Sequence, residues 1–142
     1  MEFAFWDASA LVPLCIQQRA TLTAQPLSAR YGMAVWWSTP VEMRSAFARL
    51  LRMGQLTPTG HVQAQVLLGY MRSGWREVHP NDELREQAER FIDRFPVRAA
   101  DALQLAAAMA WCLGRTKGRV LISGDSQLLD AARQLGFQAI QS

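Results

Sequence analysis

A chain of 142 residues, 50% of them hydrophobic and 19% charged, has the size and composition of one folded domain, which excludes a disordered tail or linker. Its longest apolar stretch, Ala102 to Leu113, contains Gln104 and is too short to cross a bilayer. Formal charge is +3, and of the fifteen basic residues only Lys117 is not Arg. The planar guanidinium fork binds phosphate through two parallel hydrogen bonds, so this bias suits a nucleic-acid partner as well as it suits an Arg-rich codon usage.

Residues 2–6 (EFAFW) read as a short buried strand that ends at Asp7. The opening MEFAFWD has no basic segment ahead of an apolar one, so a cytoplasmic protein is expected. A helix is expected from Ala8 to Gln18, bent or tightened at Pro13, and another from Ala20 to Arg30. The run MAVWW (33–37) is bounded by Gly32 and Ser38 and reads as a second strand. Thr39-Pro40-Val41-Glu42 has the form of a helix start, with Thr39 as N-cap and Glu42 closing a capping box. That helix should reach Met53 and stop at Gly54.

Helical spacing of Val62, Val66, Leu67 and Tyr70 predicts a helix from Thr57 to Arg72, followed by a short strand at 75–78. Pro80-Asn81-Asp82 opens a charged helix whose apolar face comprises Leu84, Ala88, Phe91, Ile92 and Phe95, with Pro96 ending it. A strongly apolar helix is expected from Arg98 to Leu113. RVLIS (119–123) is the clearest strand, a helix should follow from Asp125 to Gln134, and FQAI (137–140) supplies a last strand. Four or five short apolar strands alternating with helices imply one α/β domain over residues 1–142, with a parallel sheet covered on both faces.

In such a sheet every strand ends, and every following helix begins, on one edge, where ligands bind. Asp7 closes the first strand, Glu42 lies in the first turn after the second, and Asp125 follows the 119–123 strand by one glycine. Asp101, in the first turn of the apolar helix, can join them. Each acid also has a structural explanation, since carboxylates at helix N-termini are favoured by about 0.3–1 kcal/mol. Brought together beside an apolar core, however, they would repel one another and protonate. A hard divalent cation such as Mg²⁺ removes that cost, binding one or two carboxylates directly and others through its waters. A site of this kind suits phosphodiester hydrolysis by metal-activated water. Ser9 and Ser123 lie near two of the acids and could orient water, substrate or a carboxylate, or simply cap a turn. With the four acids neutralised by metal, fifteen basic residues face eight acidic ones, a balance that attracts a polyanion.

The order Asp7-Ala8-Ser9-Ala10-Leu11, Pro40-Val41-Glu42, Ala100-Asp101-Ala102-Leu103 and Leu121-Ile122-Ser123-Gly124-Asp125 resembles a PIN domain, most closely the VapC-type toxins of bacterial toxin–antitoxin pairs. The resemblance runs to Leu128-Leu129-Asp130-Ala131-Ala132 and Leu135-Gly136-Phe137 near the end of the chain. It implies a PIN-like fold and a Mg²⁺- or Mn²⁺-dependent endoribonuclease. Asp7 and Asp101 match the acids that bind metal most directly, and Glu42 and Asp125 match those that complete the cluster. It implies further a homodimer held inactive by an antitoxin, with the Val62–Tyr70 region as a candidate dimer face. Ser123 stands where Thr is frequent, and the hydroxyl is retained. A PIN nuclease of RNA processing and a catalytically silent PIN-like module fit the same residues. A phosphatase with paired aspartates fits poorly, because Ser9 occupies the place of its second Asp.

Cys15 and Cys112 are expected as buried thiols, and His61 and His79 are too isolated for a zinc site. At least two of Trp6, Trp36 and Trp37 belong in the core. Trp75 and Trp111 could pack or stack on a base.

Overall fold

Period-two alternation along β1 (Glu2–Trp6) sends Phe5 to one face of a sheet and Ala4 and Trp6 to the other, all three fully buried. In the computed structural model, which describes residues 1–142, the chain continues through α1 (Ala8–Cys15), α2 (Thr21–Arg30), β2 (Tyr31–Trp36), α3 (Thr39–Arg52), α4 (Pro58–Gly74) and β3 (Arg76–Val78). It then forms α5 (Asp82–Arg94), α6 (Ala99–Trp111), β4 (Val120–Ser123), α7 (Ser126–Gln134) and β5 (Gln138–Gln141). The five strands pair in the order β3-β2-β1-β4-β5, every pair parallel.

Two apolar layers follow from the alternation. Ala4, Trp6, Val35, Val120 and Ile122 pack with Leu11 of α1, Met43 and Phe47 of α3 and Leu68 of α4. Phe5, Ala34, Trp36 and Leu121 pack with Phe91 of α5, Leu105 of α6 and Leu128 and Leu129 of α7. Full burial of such a side chain stabilises the fold by about 1.5–3 kcal/mol. The architecture is α/β with helices on both faces of an all-parallel sheet, compatible with the PIN-like arrangement expected above. No helix is long and apolar enough to cross a membrane.

The strand order has one consequence for the site. The chain winds outward from β1 through β2 to β3, then returns to the opposite side of β1 for β4 and β5. The carboxyl ends of β1 and β4 therefore flank the point where the winding reverses, the place where open parallel sheets form a crevice. The Asp7 amide donates to the Ile122 carbonyl at 3.0 Å, which fixes Asp7 against the end of β4.

Several local expectations are corrected. The capping box at α3 does not form: Ser38 holds the N-cap position without a side-chain cap bond, and Thr39 is already helical. Thr39 is fully buried and its hydroxyl has no partner, because the side chain turns into the core and away from the helix end. Strand β2 starts at Tyr31, two residues early, since Tyr31 and Gly32 pair with Glu2 and Phe3. Helix α1 ends at Cys15, where the Thr21 hydroxyl donates to the Pro13 carbonyl at 2.6 Å. Ile92 faces outward at 43% exposure, whereas Trp6 and Trp36 are core, as expected of at least two of the three tryptophans, with Trp37 51% exposed.

Candidate active site

Asp7 is a buried carboxylate held by two hydroxyls. Ser9 Oγ donates to Asp7 Oδ2 at 2.5 Å and Ser123 Oγ donates to the same oxygen at 2.9 Å. Each hydroxyl is itself oriented by a backbone amide of the turn after β4. Gly124 N–H donates to Ser9 Oγ at 2.9 Å, and Asp125 N–H donates to Ser123 Oγ at 3.0 Å. A hydroxyl whose lone pair takes an amide proton is left to aim its own hydrogen at the carboxylate. Both bonds converge on Oδ2 and leave Oδ1 without a side-chain donor. Asp7 occupies the N-cap position of α1 but makes no side-chain cap bond.

Glu42 repeats the pattern. Ser38 Oγ donates to Glu42 Oε2 at 2.9 Å and Gln104 Nε2 donates to the same oxygen at 3.0 Å, so Oε1 is engaged by neither. Asp125 is a genuine N-cap: its Oδ1 accepts from the amides of Gln127 at 2.9 Å and Leu128 at 3.3 Å, and Oδ2 is not used. Asp101 lies half-buried in the first turn of α6, where the backbone amide of the N-cap residue Arg98 favours its charged form. Of the two acids at N-cap positions, Asp125 caps its helix through its side chain and Asp7 does not.

Electrostatic coupling links Asp7 with Asp125, Glu42 with Asp7 and Asp101, and Asp101 with Asp125 and Asp7. Burial pushes the Asp7 carboxyl above its ordinary value, opposed by the bonds from Ser9, Ser123 and the Ala8 amide, and reinforced by the charge of Asp125. Burial also raises Glu42, opposed by Ser38 and Gln104 and reinforced by the charges of Asp7 and Asp101. Asp101 is raised by burial and by Asp125 and Asp7, with Arg98 opposing weakly. The two ion pairs of the molecule, Arg85–Asp82 and Arg133–Asp130, touch none of these acids. Arg98 eases the charge of Asp101 without forming an ion pair, so negative charge is concentrated here with little compensation, which is costly in low dielectric.

No three of the His, Cys, Asp and Glu side chains close into a ready-made metal cage. The donor set is nonetheless chemically suited to Mg²⁺, which prefers oxygen, keeps several waters and needs only one or two direct carboxylates. Asp7 and Asp101 are the residues that would hold it, with the free oxygens of Glu42 and Asp125 available to its waters.

Ser9 and Ser123, expected as orienting groups or as caps, both act on Asp7. Sequence reasoning missed Ser38 and Gln104. Gln104 carried a usable signal, being the one amide in the apolar run Ala102–Ala108 and a single turn from Asp101. Burial pushes the Cys15 thiol up to about 12 and raises Cys112, so both are inert. Trp111 is half-buried and packs beside Phe5, ring centroids 6.3 Å apart, with Arg119 over its face. A groove of about 570 Å³ between α5 and α6 contains none of the four acids. A smaller cleft of about 290 Å³ is lined by Trp36 at the end of β2, by Leu103 and by Asn81 and Arg85 at the start of α5.

The class these features define is an α/β domain with a buried acidic site at the carboxyl edge of a parallel sheet. No family model matches the chain, and no curated protein does. Among solved structures it is similar to PAE2754 from Pyrobaculum aerophilum, with a TM-score of 0.68 and 21% identity, over 99% of this chain and 89% of that one. At that identity the likeness establishes the fold alone.

Proposed function

We propose that the protein is a Mg²⁺-dependent endoribonuclease, with Mn²⁺ as a competent substitute, and that it is the toxin of a toxin–antitoxin pair acting in the cytoplasm. The observation that carries the nuclease reading is the state of Asp7, Glu42 and Asp101. Burial raises all three carboxyls and neighbouring acids add to it, none has an ion pair, and Asp7 and Glu42 each accept two side-chain hydrogen bonds on one oxygen and none on the other. A merely structural acid would be capped, paired or solvated.

A bound divalent ion supplies charge neutralisation, activation of a water and polarisation of a phosphoryl oxygen. Asp7 and Asp101 would hold it, and Ser9 and Ser123 align Asp7 and favour its ionised form, offsetting part of the cost of its burial. Glu42 and Asp125 accept hydrogens from water at their free oxygens. The unpaired arginines attract the RNA backbone, which gives binding a steep salt dependence. The cleft at Trp36 and Leu103, two residues past Asp101, is a place for nucleotides flanking the cut.

The toxin assignment rests on the order and surroundings of the four acids, which resemble VapC-type toxins. On the same basis the antitoxin covers the acidic edge. A homodimer would use the α4 face, where Val62, Val66 and Tyr70 are 59%, 59% and 79% exposed. The competing reading is a silent module, favoured by the absence of a closed ligand cage. Labelled RNA incubated with purified protein decides between them. Cleavage that requires Mg²⁺, stops with EDTA and is lost in Asp7→Asn supports the nuclease. Intact RNA in Mg²⁺ and Mn²⁺ alike identifies the silent module. Growth arrest on expression, absent for Asp7→Asn, tests toxicity.

A further inference from the structure

Gln104 is 1% exposed in the middle of α6, among Ala102, Leu105, Ala106, Ala107 and Ala108. A buried amide in such company needs partners for its two donor hydrogens and its acceptor. Nε2 has one, Glu42 Oε2 at 3.0 Å, a contact that joins α6 to α3 across 62 residues of sequence. Oε1 has none, although it is buried. Leaving an acceptor unpaired in the core is destabilising, and an apolar side chain of like volume would avoid it. Reversing the amide would face Oε1 to the carboxylate, acceptor against acceptor, so the orientation is set by Glu42.

Gln104 is thus poorly suited to stability and well placed for the carboxylate. It donates from α6, one turn past Asp101, while Ser38 donates from the start of α3 to the same oxygen of Glu42. The two donors hold Glu42 from separate elements, fix which oxygen is occupied, and offset part of the burial that would protonate it. Neither Asp101 nor Asp125 has a comparable pair of side-chain donors.

We propose that Gln104 is a positioning residue of the acidic site, holding Oε2 of Glu42 so that Oε1 is the oxygen presented to a bound divalent cation or its water. This rests on the nuclease reading above.

The test uses Gln104→Met, which keeps the volume and removes the donor, and Gln104→Asn, which keeps the amide and falls one methylene short. Three quantities are read: the metal-free Tm, the rise in Tm on adding Mg²⁺, and kcat and KM on labelled RNA. For Gln104→Met the metal-free Tm should equal or exceed that of the wild type, while the Mg²⁺-induced rise shrinks. In both variants kcat should fall about 10–100-fold with little change in KM, as for loss of a residue that orients a metal-site ligand. In a Glu42→Gln background the further substitution Gln104→Met should cost nothing more, because the held charge is already gone. A Mg²⁺ response and kcat equal to wild type in Gln104→Met, or an undiminished loss in the Glu42→Gln background, would overturn the role. So would failure of both variants to fold, which would make Gln104 a structural residue. If the wild type itself neither cleaves RNA nor responds to Mg²⁺, the nuclease reading fails and this inference fails with it. If the wild type does both and Gln104→Met matches it, only this inference fails.

Discussion

Helix α5 and the carboxyl edge of the sheet both gather acids, and they use them in opposite ways. On α5, Asp82, Glu83, Glu86, Glu89 and Asp93 are all exposed, and Asp82 pairs with Arg85 one turn on at 3.2 Å. They solvate one face of an amphipathic helix whose other face carries Leu84, Ala88 and Phe91 into the core. At the sheet edge Asp7 is buried and Glu42, Asp101 and Asp125 are half-buried, with hydroxyls, an amide and backbone N–H groups as their partners. The difference teaches that the number of acids in a segment says little about chemistry. What matters is whether water or the protein carries their charge.

The largest effect separating the two regions should come from neutral isosteres. Asp7→Asn or Asp101→Asn should abolish Mg²⁺-dependent cleavage, whereas Glu86→Gln and Glu89→Gln on α5 should leave the rate within about twofold and stability within about 0.5 kcal/mol. Cleavage assays and thermal melts on the four variants would make the contrast, and equal losses in both regions would break it.

A second contrast is pH. Burial raises Asp7, Glu42 and Asp101 above the ordinary values of 3.8 for Asp and 4.5 for Glu, so the folded protein holds protons that the unfolded chain has released. Their stabilising contribution is complete below those ordinary values and is lost as pH rises through the raised ones. Metal-free wild type should therefore lose Tm relative to Asp7→Asn as pH rises above the ordinary carboxylate range, and Mg²⁺ should restore it. Parallel curves for the two proteins would contradict the burial argument.

Smaller effects sharpen the account of how the edge is held. Ser123→Ala removes one of two donors to Asp7 Oδ2 and also the acceptor of the Asp125 amide. It should lower activity about 10–100-fold while costing about 1 kcal/mol of stability. Ser123→Thr, which keeps the hydroxyl, should retain most of the activity. Smallest of all in its effect on the fold, Val66→Glu on the exposed α4 face should leave the far-UV circular dichroism unchanged and convert a dimer to a monomer in light scattering. A wild type that is already monomeric removes that part of the proposal.

Much of this arrangement is legible in the sequence, for physical reasons particular to each element. Strands β1 and β4 are short apolar runs between turn residues, and a parallel sheet buries both of its faces, so the runs stand out. Asp7, Glu42 and Asp125 were placed on one edge by topology, without any side-chain information. The capping box at Thr39 failed because the pattern reports only spacing, while burial of Thr39 decided where its hydroxyl went. Helical period puts Ile92 on the apolar face of α5, but it lies at the margin of that stripe and is exposed. The bond from Gln104 to Glu42 was not legible, since it joins residues 62 apart in the chain through a contact that only the packing of α6 creates, while the bond from Ser38, four residues from Glu42, was hidden by the capping-box reading of Thr39.

The central claim is that the buried charge at the sheet edge is shared with a divalent ion, and titration of Mn²⁺ followed by electron paramagnetic resonance tests it most directly. The account predicts saturable loss of the free Mn²⁺ signal with wild type, competition by Mg²⁺, and little binding to Asp7→Asn or Asp101→Asn. Free Mn²⁺ that is undiminished by the wild type, or bound equally by the three proteins, would contradict it.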